Sequence, residues 1–367
     1  MAWARPGHTV QEVNKAGRTL VAGLQGNLGA NEDWWNDFQD ALAVINNWRA
    51  SHSYPLNTFQ MNLRRTARRF SSSALVAQRI KRLASIANKL ERQPNMKLSQ
   101  MQDIGGCRAV LENVAEVQEC VRYYIRDSRM KHVRASLDNY IDSPKYTGYR
   151  GVHLIYKYHS DKNDVYNNLK IEMQIRSQFQ HAWATAVETV GTFVGQALKS
   201  NVGDEEWRRF FSLMGSAIAM REQAPPVPGT PTIRHELISE LREYAQSLNV
   251  QNRLKAYGNA LRAIKRRAEG ANYYLLELDP EASALTVTGF RLTEIQEAER
   301  RYEIAEQSVR ANPGRDAVLV SVDSVNSLEK AYPNYFADTR IFVQLLDQEL
   351  SGREQGIIVP PLEIGEV

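Results

Sequence analysis

The chain has 367 residues, of which 43% are hydrophobic and 24% charged, and its formal net charge is +4. This length and composition are typical of globular proteins and allow two domains with separate cores, which excludes a wholly disordered chain. No apolar run approaches the ~20 residues of a membrane span, and the N-terminus lacks a secretory signal pattern, so we expect a cytoplasmic protein without membrane contact.

Charge is distributed unevenly along the chain. Residues 271–367 hold 17 Asp and Glu against 8 Lys and Arg, a net charge of −9, which leaves +13 for the rest. Residues 61–90 contain eight basic side chains and no acidic one: Arg64, Arg65, Arg68, Arg69, Arg79, Lys81, Arg82 and Lys89. Such a surface fits a polyanionic partner, although a solvated helical face is the ordinary alternative.

The first half of the chain predicts helices followed by strands. Four aromatic residues in the first sixty have helical spacing and are expected in a core: Trp34, Trp35, Phe38 and Trp48. Residues 67–92 read as a basic helix. Gly105 and Gly106 precede an apolar run that predicts a strand, and residues 114–126 predict a helix. The two cysteines, Cys107 and Cys120, lack the spacing of a disulfide scaffold or a zinc site.

Two alternating runs, residues 152–158 and 171–176, predict a hairpin. In the second run, Glu172, Gln174 and Arg176 share one face, while the opposite face is aliphatic. The polar face is consistent with the wet side of a sheet. This face, together with Asp103 beside the glycine pair, also predicts that the carboxylates of Glu172 and Asp103 bind a hard cation that in turn contacts a polyphosphate.

Residues 223–231 are rich in proline and predict a linker. Two helical segments follow, then a hairpin over 273–278 and 285–290, a helix over 293–310, a strand over 317–322 and a helix over 341–350. We therefore predict an α+β protein, with a mixed β-sheet flanked by helices followed by a small α/β module. The predicted domains are 1–222, a connecting segment 223–270, and an acidic module 271–367.

Four segments resemble RelA/SpoT-type synthetases in the right order. Residues 79–90 resemble the family's RxKSxxSIxxKL helix, and residues 103–108 its DIxGxR strand. Residues 140–153 resemble its acceptor loop, YIxxPKxxGYxSxH, and residues 172–176 its ExQIR strand. The resemblance implies an ATP pyrophosphokinase that uses Mg²⁺ and ATP as the diphosphate donor.

The resemblance also implies a role for each matching residue. Asp103 and Glu172 would be the catalytic residues and the magnesium ligands, with Glu172 taking the proton from the attacking hydroxyl. The ATP-binding residues would be Arg79, Lys81, Ser85, Lys89 and Arg108, the two arginines holding the adenine between them. The acceptor-binding residues would be Lys145, Tyr149, His153, Gln174 and Arg176.

Two positions depart from the family pattern. Arg82 stands where the family often has Ser, and Gly151 stands where it has a small hydroxyl residue before the loop histidine. The second departure weakens the case for a free guanine nucleotide as acceptor. The N-terminal part lacks the His-Asp pair of a metal-dependent hydrolase, so we expect synthesis without degradation.

Order, length and charge asymmetry resemble the fused toxin-antitoxin synthetases called CapRel. That resemblance implies a C-terminal pseudo-zinc-finger domain whose YxxY motif, here Tyr332 and Tyr335, is autoinhibitory. It further implies diphosphate transfer to the 3′ CCA end of tRNA, and activation by a phage major capsid protein. Two alternatives remain open: an alarmone synthetase with a regulatory C-terminal module, and a catalytically inactive RNA-binding protein, which Asp103 and Glu172 disfavour.

Overall fold

The computed structural model describes residues 3–25, 32–197, 204–266, 271–279, 284–311, 316–321 and 335–352. The chain forms two compact units. The first unit contains residues 1–139 and 151–177, and the second contains residues 140–150 and 178–367. This division by contacts differs from the domains predicted from the sequence, which stay a prediction.

In the ranges that the structure describes, the first unit combines five α-helices with one sheet. Its helices are α1 (Val10–Leu24), α2 (Glu32–Ser51), α3 (Ser53–Phe70), α4 (Leu83–Arg92) and α5 (Val114–Arg122). Its strands are β1 (Leu75–Ile80), β2 (Gly105–Leu111), β3 (Val133–Asn139), β4 (Val152–Lys157) and β5 (Lys170–Ser177). The strand order is β1-β2-β5-β4-β3, in which β2 and β5 run parallel and the other pairs antiparallel. The predicted mixed sheet and the β4-β5 hairpin are confirmed.

The sheet has one apolar face, which α3 covers. Ile171, Met173 and Ile175 of β5 are fully buried on this face. Leu56 of α3 lies against the start of β2, and the ring of Phe59 lies 5.6 Å from that of Tyr156 on β4. Because α3 buries this side, its exposed arginines project away from the sheet on the far side from the polar face.

The prediction of one basic helix over residues 67–92 is wrong in its middle. Residues 71–74 leave the helical conformation, and β1 pairs antiparallel with β2 from Leu75 to Ile80 before α4 begins at Leu83. Ladder hydrogen bonds to β2 pair one edge of this backbone, and such tertiary pairing overrides a helical pattern in a short segment. Arg79 therefore lies on a strand, not on the helix that carries Ser85 and Lys89.

Trp35 also departs from its predicted place in the core, since it is 53% exposed. It follows Trp34 directly in α2, so its side chain points to a different side of the helix. Phe38 and Trp48, in contrast, pack against a buried cluster that includes Val13, Leu20 and Ile45. The helical prediction for this region is confirmed.

The second unit is mainly helical, and its larger core cluster includes Trp183, Phe210 and Phe342. Its helices are α6 (Gln178–Ala197), α7 (Asp204–Arg221), α8 (Arg234–Ser247), α9 (Val250–Arg266), α10 (Ile295–Ala311) and α11 (Tyr335–Ser351). The buried carboxylate of Glu349 on α11 accepts from Arg221 at 2.9 Å and from Arg234 at 2.6 Å. These bonds tie α11 to α7 and to the start of α8.

The proline-rich residues 223–231 form an ordered loop within the second unit. Val227 is buried, and its backbone N–H donates to Ser216 Oγ at 2.8 Å. Thr230 is buried as well and bonds the same hydroxyl at 2.6 Å. As predicted, no helix runs through these residues. They do not act as a loose linker, however, because hydrogen bonds to Ser216 hold the loop against α7.

The acidic C-terminal segment contains a three-stranded sheet. β6 (Tyr273–Asp279) lies between β7 (Ala284–Phe290) and β8 (Asp316–Ser321), and both pairs are antiparallel. The predicted hairpin, strand and flanking helices are confirmed. Within the described ranges, no helix is long and apolar enough to cross a membrane.

Candidate active site

Strand register gathers the polar residues of four motifs on one face of the sheet. Across β1, β2 and β5, Arg79 lies opposite Gly106, and Gly106 lies opposite Glu172. Two residues further along β2, Arg108 lies opposite Gln174, which lies opposite His153 on β4. Directly paired residues project to the same side of a sheet, so these side chains share the face opposite α3.

Glu172 is held by two neighbours on this face. Its Oε1 lies 2.9 Å from Nδ1 of His153, and its Oε2 accepts from Nε2 of Gln174 at 2.8 Å. Burial opposes ionisation of this carboxyl, but the hydrogen bonds and the charge of His153 outweigh burial and hold the pKa of Glu172 below its ordinary value. Glu172 is thus a carboxylate at neutral pH.

The row of polar side chains continues along β5. Gln174 Oε1 accepts from Nη2 of Arg176 at 2.7 Å, so Arg176 fixes the orientation of the amide that holds Glu172. Gly151 leaves room for this row, since a Cβ there would stand 3.0 Å from Cγ of Arg176 and its φ is +144°. This contact gives a local reason for the glycine where the family has a hydroxyl residue.

Asp103 is bound by two lysines just before β2. Its Oδ2 accepts from Nζ of Lys81 at 2.6 Å, and its Oδ1 accepts from Nζ of Lys89 at 3.0 Å. Burial raises the pKa of this carboxyl, but the two ammonium groups outweigh it and keep the pKa of Asp103 below its ordinary value. The charge of Asp103 in turn acts to raise the pKa of Glu172, because the two carboxylates repel each other.

Lys81, Ser85 and Lys89 lie around the beginning of α4. Lys81 precedes the helix, Ser85 lies exposed in its first turn, and Lys89 lies one turn further along the same side. The N-cap residue, Arg82, makes no side-chain capping bond. Helix N-termini of this kind bind phosphate through backbone N–H groups.

Arg79 and Arg108 are diagonal neighbours on the polar face. Arg79 pairs with Gly106, and Arg108 lies two residues further along β2. Diagonal neighbours stand ~7–8 Å apart. A flat ring needs about the same distance, because it makes a van der Waals contact of ~3.5–4 Å on each side. This spacing applies to the backbone positions, and it leaves room for a purine between the two long side chains.

Lys145 and Tyr149 lie in the part of the predicted acceptor loop that belongs to the second unit. Nζ of Lys145 stands 4.1 Å from the ring centre of Tyr140 and 5.5 Å from that of Tyr149. Gly148 is at φ +90°, and a Cβ there would stand 2.7 Å from the carbonyl oxygen of Phe211. Only glycine fits this turn, which presents the two tyrosines and the lysine together.

The structure thus brings Arg79 and Arg108 together as a pair and other predicted residues together in three groups. Glu172 forms one group with His153, Gln174 and Arg176. Asp103 forms the second with Lys81 and Lys89, and Lys145 and Tyr149 form the third. Tyr332 lies outside the described residues, and only the backbone of Tyr335 is described, at the start of α11.

Sequence reasoning missed two residues. Gly106 faces Glu172, and a glycine inside a strand is a signal of close approach that could have indicated it. Arg150 is the other: it is buried, and it donates to the carbonyl oxygens of Ile141, at 2.9 Å, and of Pro225. No sequence signal distinguishes such a loop anchor from a surface arginine.

The donor set fits a magnesium ion bound with a polyphosphate. No group of three or more His, Cys, Asp or Glu side chains that could hold a metal occurs within the described part of the chain. Mg²⁺ needs only one or two carboxylates when phosphate oxygens and water supply the other ligands. Asp103 and Glu172 are both ionised and could provide these, and phosphates could draw Lys81 and Lys89 away from Asp103.

The comparisons with known proteins point to the same segment. Residues 78–190 match the model of a region found in RelA / SpoT proteins. This RelA/SpoT-type region includes every residue assigned above to donor, acceptor or metal.

Two curated relatives from Bacillus subtilis (strain 168) are GTP pyrophosphokinase YwaC, 29% identical over 113 residues, and GTP pyrophosphokinase YjbM, 30% identical over 112 residues. The alignments cover 29% and 30% of this chain and 52% of each relative, so the chain spans about half the length of the curated relatives it matches.

Similar solved structures include two Bacillus subtilis proteins. Small alarmone synthetase 1, bound to its product pppGpp, is 21% identical with a TM-score of 0.40, over 47% of this chain and 89% of that chain. Small alarmone synthetase 2 is 18% identical with a TM-score of 0.41, over 49% and 94%.

Proposed function

We propose that this chain is a magnesium-dependent diphosphotransferase that uses ATP as its donor. The observation that carries the proposal is the pair of ionised carboxylates, Asp103 and Glu172, which act on each other's charge, with Asp103 bound to the two lysines that flank the start of α4. Arg79 and Arg108 would hold the adenine, and Lys81, Ser85 and Lys89 the phosphates. The magnesium ion, held by the two carboxylates, would neutralise charge on the phosphate oxygens.

Glu172 is the proposed base. The acceptor hydroxyl would attack the β-phosphorus of ATP, the bond from that phosphorus to the α-phosphate oxygen would break, and AMP would leave. The hydroxyl proton would pass to the carboxylate of Glu172. His153 and Gln174 occupy one lone pair on each of its oxygens and so fix the direction from which a hydroxyl can approach.

For the acceptor, we propose the 3′ CCA end of tRNA. Exposed arginines of α3, of the end of α5 and of the segment that follows it form one basic surface: Arg64, Arg65, Arg68, Arg69, Arg122 and Arg126. The guanidinium of Arg69 lies 5.0 Å from the ring centre of Tyr123, which joins the two segments. This basic surface is on the far side of the sheet from Glu172. A free nucleotide at Glu172 is too small to reach it, whereas an RNA is long enough to contact both.

Regulation forms a further part of the proposal. Residues 271–367, the pseudo-zinc-finger-like module, would inhibit the enzyme through Tyr332 and Tyr335, which would compete with ATP for Arg79 and Arg108. A phage major capsid protein would release this inhibition by binding the undocked module more tightly. The protein would then act as a self-inhibited anti-phage toxin that stops translation.

A second candidate is an alarmone synthetase whose acceptor is a free nucleotide, GTP, GDP or an adenosine nucleotide. It is favoured by the names of the two relatives, both of which are called GTP pyrophosphokinases. In this case, Tyr149 would stack on the acceptor base. The C-terminal module would be regulatory in this candidate too.

Labelled ATP distinguishes the two candidates. Purified protein is incubated with ATP labelled in the β-phosphate and with tRNA or with GTP and GDP, and the label is followed into RNA or nucleotide. Label in tRNA supports the first candidate, and label in GTP or GDP only supports the second. Label in neither acceptor, with Tyr332 and Tyr335 both changed to Ala, contradicts diphosphate transfer to both.

Charge reversal tests the basic surface. Changing Arg64, Arg65, Arg68 and Arg69 to Glu should lower tRNA modification by at least tenfold and leave ATP affinity unchanged. The control reverses the same number of exposed charges elsewhere in the first unit, at Lys15, Arg18, Arg92 and Lys162. Equal losses in both quadruple variants would contradict a specific RNA surface on α3.

A further inference from the structure

A cavity of ≈ 390 Å³ lies within the first unit, at the end of the sheet where β5 begins. Its lining includes Trp48, His52, Ser99, Met101, Asn168 and Lys170. None of the residues proposed above to contact ATP, magnesium or the acceptor is among its described lining residues. The volume falls in the range of small-molecule sites, roughly 300–1,000 Å³.

His52 contributes an unused acceptor to this cavity. The side chain is 1% exposed, and its Nδ1 lies 2.7 Å from the backbone carbonyl oxygen of Trp48. A carbonyl oxygen can only accept, so Nδ1 carries the proton. Burial lowers the pKa of His52 to about 4, so the ring is neutral at pH 7 and Nε2 is an acceptor. Among the described residues, Nε2 has no hydrogen-bond partner.

Other lining residues supply a cation and apolar surface. Nζ of Lys170 donates to the carbonyl oxygen of Gln100 at 3.3 Å, which uses one of its three N–H groups. Met101 and Leu169 add apolar surface. Buried polar atoms without partners are costly, so the lining is incomplete without a hydrogen-bonding occupant.

The cavity is close in the chain to both proposed metal ligands. Met101 precedes Asp103 by two residues, and Lys170 precedes Glu172 by two residues on β5. Cβ of His52 stands 3.3 Å from the position that a Cβ on Gly105 would take, one residue before the glycine opposite Glu172. An occupant would therefore contact the residues that lead into both catalytic segments.

We propose that this cavity is a second ligand site, separate from the polar face, and that it binds a nucleoside monophosphate. A ribose hydroxyl would donate to Nε2 of His52, the phosphate would pair with Nζ of Lys170, and the base would lie on the apolar surface. Neither an inorganic anion nor an uncharged nucleoside matches all three features. AMP is the first choice of probe because diphosphate transfer from ATP releases it, and this choice alone rests on the proposed function.

Calorimetric titration of AMP into the full chain tests the site. Binding should be retained in Arg79→Ala, which removes one of the two arginines proposed to hold adenine, and AMP should bind at least tenfold more tightly than adenosine or inorganic phosphate. Ser99→Trp fills the cavity and should weaken AMP binding by at least tenfold. Asn95→Trp, which puts the same indole at an exposed turn outside the cavity, should bind AMP as the parent does.

His52→Asn supplies a second variant. The amide can still donate to the carbonyl oxygen of Trp48, so the local bond is kept while the Nε2 acceptor is removed, and AMP affinity should fall about fivefold to tenfold. AMP binding that survives Ser99→Trp, or that is lost in Arg79→Ala, would overturn the proposal. Inorganic phosphate that binds as tightly as AMP would overturn the nucleoside part. Binding is measured without turnover, so the result stands whether or not the chain transfers diphosphate.

Discussion

Gly106 faces Glu172 across the parallel pair of β2 and β5, and a Cβ on Gly106 would stand 3.8 Å from Oε2 of Glu172. This is ordinary van der Waals distance, so Gly106→Ala should fold, and it should lose about tenfold in turnover because a methyl group then fills the space beside Oε2 of Glu172. Gly106→Val should lose roughly 100-fold or more, since misplacement of a reacting group by ~1 Å costs about that much. Steady-state kinetics with thermal unfolding as the fold control checks this, and equal activity of all three proteins would contradict it.

Glu172→Gln should remove the proposed base and a metal ligand while keeping the size of the side chain. Turnover should fall on the order of 1,000-fold, the usual scale for a lost general base, with an unchanged melting temperature. The matched control is Asp164→Asn, at an exposed carboxylate in the β4-β5 connection. Near-normal diphosphate transfer by Glu172→Gln would remove Glu172 from the mechanism.

The two lysines on Asp103 should differ in their effect on stability. Lys81 has the shorter bond, 2.6 Å against 3.0 Å, and the more buried side chain, 11% exposed against 31% for Lys89. Lys81→Met should therefore lower the free energy of unfolding by about 2 kcal/mol, the scale of a hydrogen bond to a charged group, and Lys89→Met by less. Urea unfolding at pH 7 measures both. The reverse order would show that bond length and burial do not set their contributions.

Stability should fall as the pH falls below neutrality, in part through His52. Burial lowers the pKa of His52 from 6.5 to about 4, so the unfolded chain takes up a proton at a pH where the folded chain does not. The stabilisation is complete above pH 6.5 and is lost progressively down to pH 4; between pH 7 and pH 5 the loss should be about 2 kcal/mol. His132, whose pKa burial also lowers, contributes in the same direction. The difference between the parent and His52→Asn isolates His52, and identical pH slopes in the two proteins would contradict the assignment.

Tyr332→Ala with Tyr335→Ala tests the proposed self-inhibition more cleanly than deletion of residues 271–367. Deletion should give a constitutively toxic enzyme, but it also removes any help that the module gives to folding or substrate binding. The paired substitution should raise ATP affinity and arrest growth on induction, and combining it with Glu172→Gln should restore growth. A double variant that binds ATP as the parent does and leaves growth unaffected would contradict the inhibitory role.

Sequence patterns predicted much of the first unit. Successive side chains of a strand point to opposite faces of the sheet. The placement of Glu172, Gln174 and Arg176 on one face therefore followed from the sequence alone. The pairing of Asp103 with Lys81 and Lys89 did not, because it depends on where β1 ends relative to β2. β1 itself was also missed, because a strand of six residues between two helical segments is too short to show a clear alternation in the sequence.

The roles within the predicted acceptor group also could not be resolved from sequence. His153, Gln174 and Arg176 all carry polar groups suited to a ligand, yet their described bonds run toward Glu172 and toward one another. Which partner a side chain selects depends on cross-strand register, and the register between β4 and β5 is fixed by the loop between them.

The acceptor loop also affects the order in which the chain can fold during synthesis. Residues 140–150 connect β3 to β4 of the first unit, but their partners lie far downstream: Tyr146 bonds Ser212 across 66 residues, and Arg150 bonds Pro225 across 75. At a synthesis rate of roughly 5–20 residues per second, the loop emerges roughly 3 to 15 s before those partners exist. During that interval β3 and β4 can pair while the loop between them, with Lys145 and Tyr149, has not yet taken its final conformation. Translation speed across residues 150–225 should therefore influence the yield of native protein.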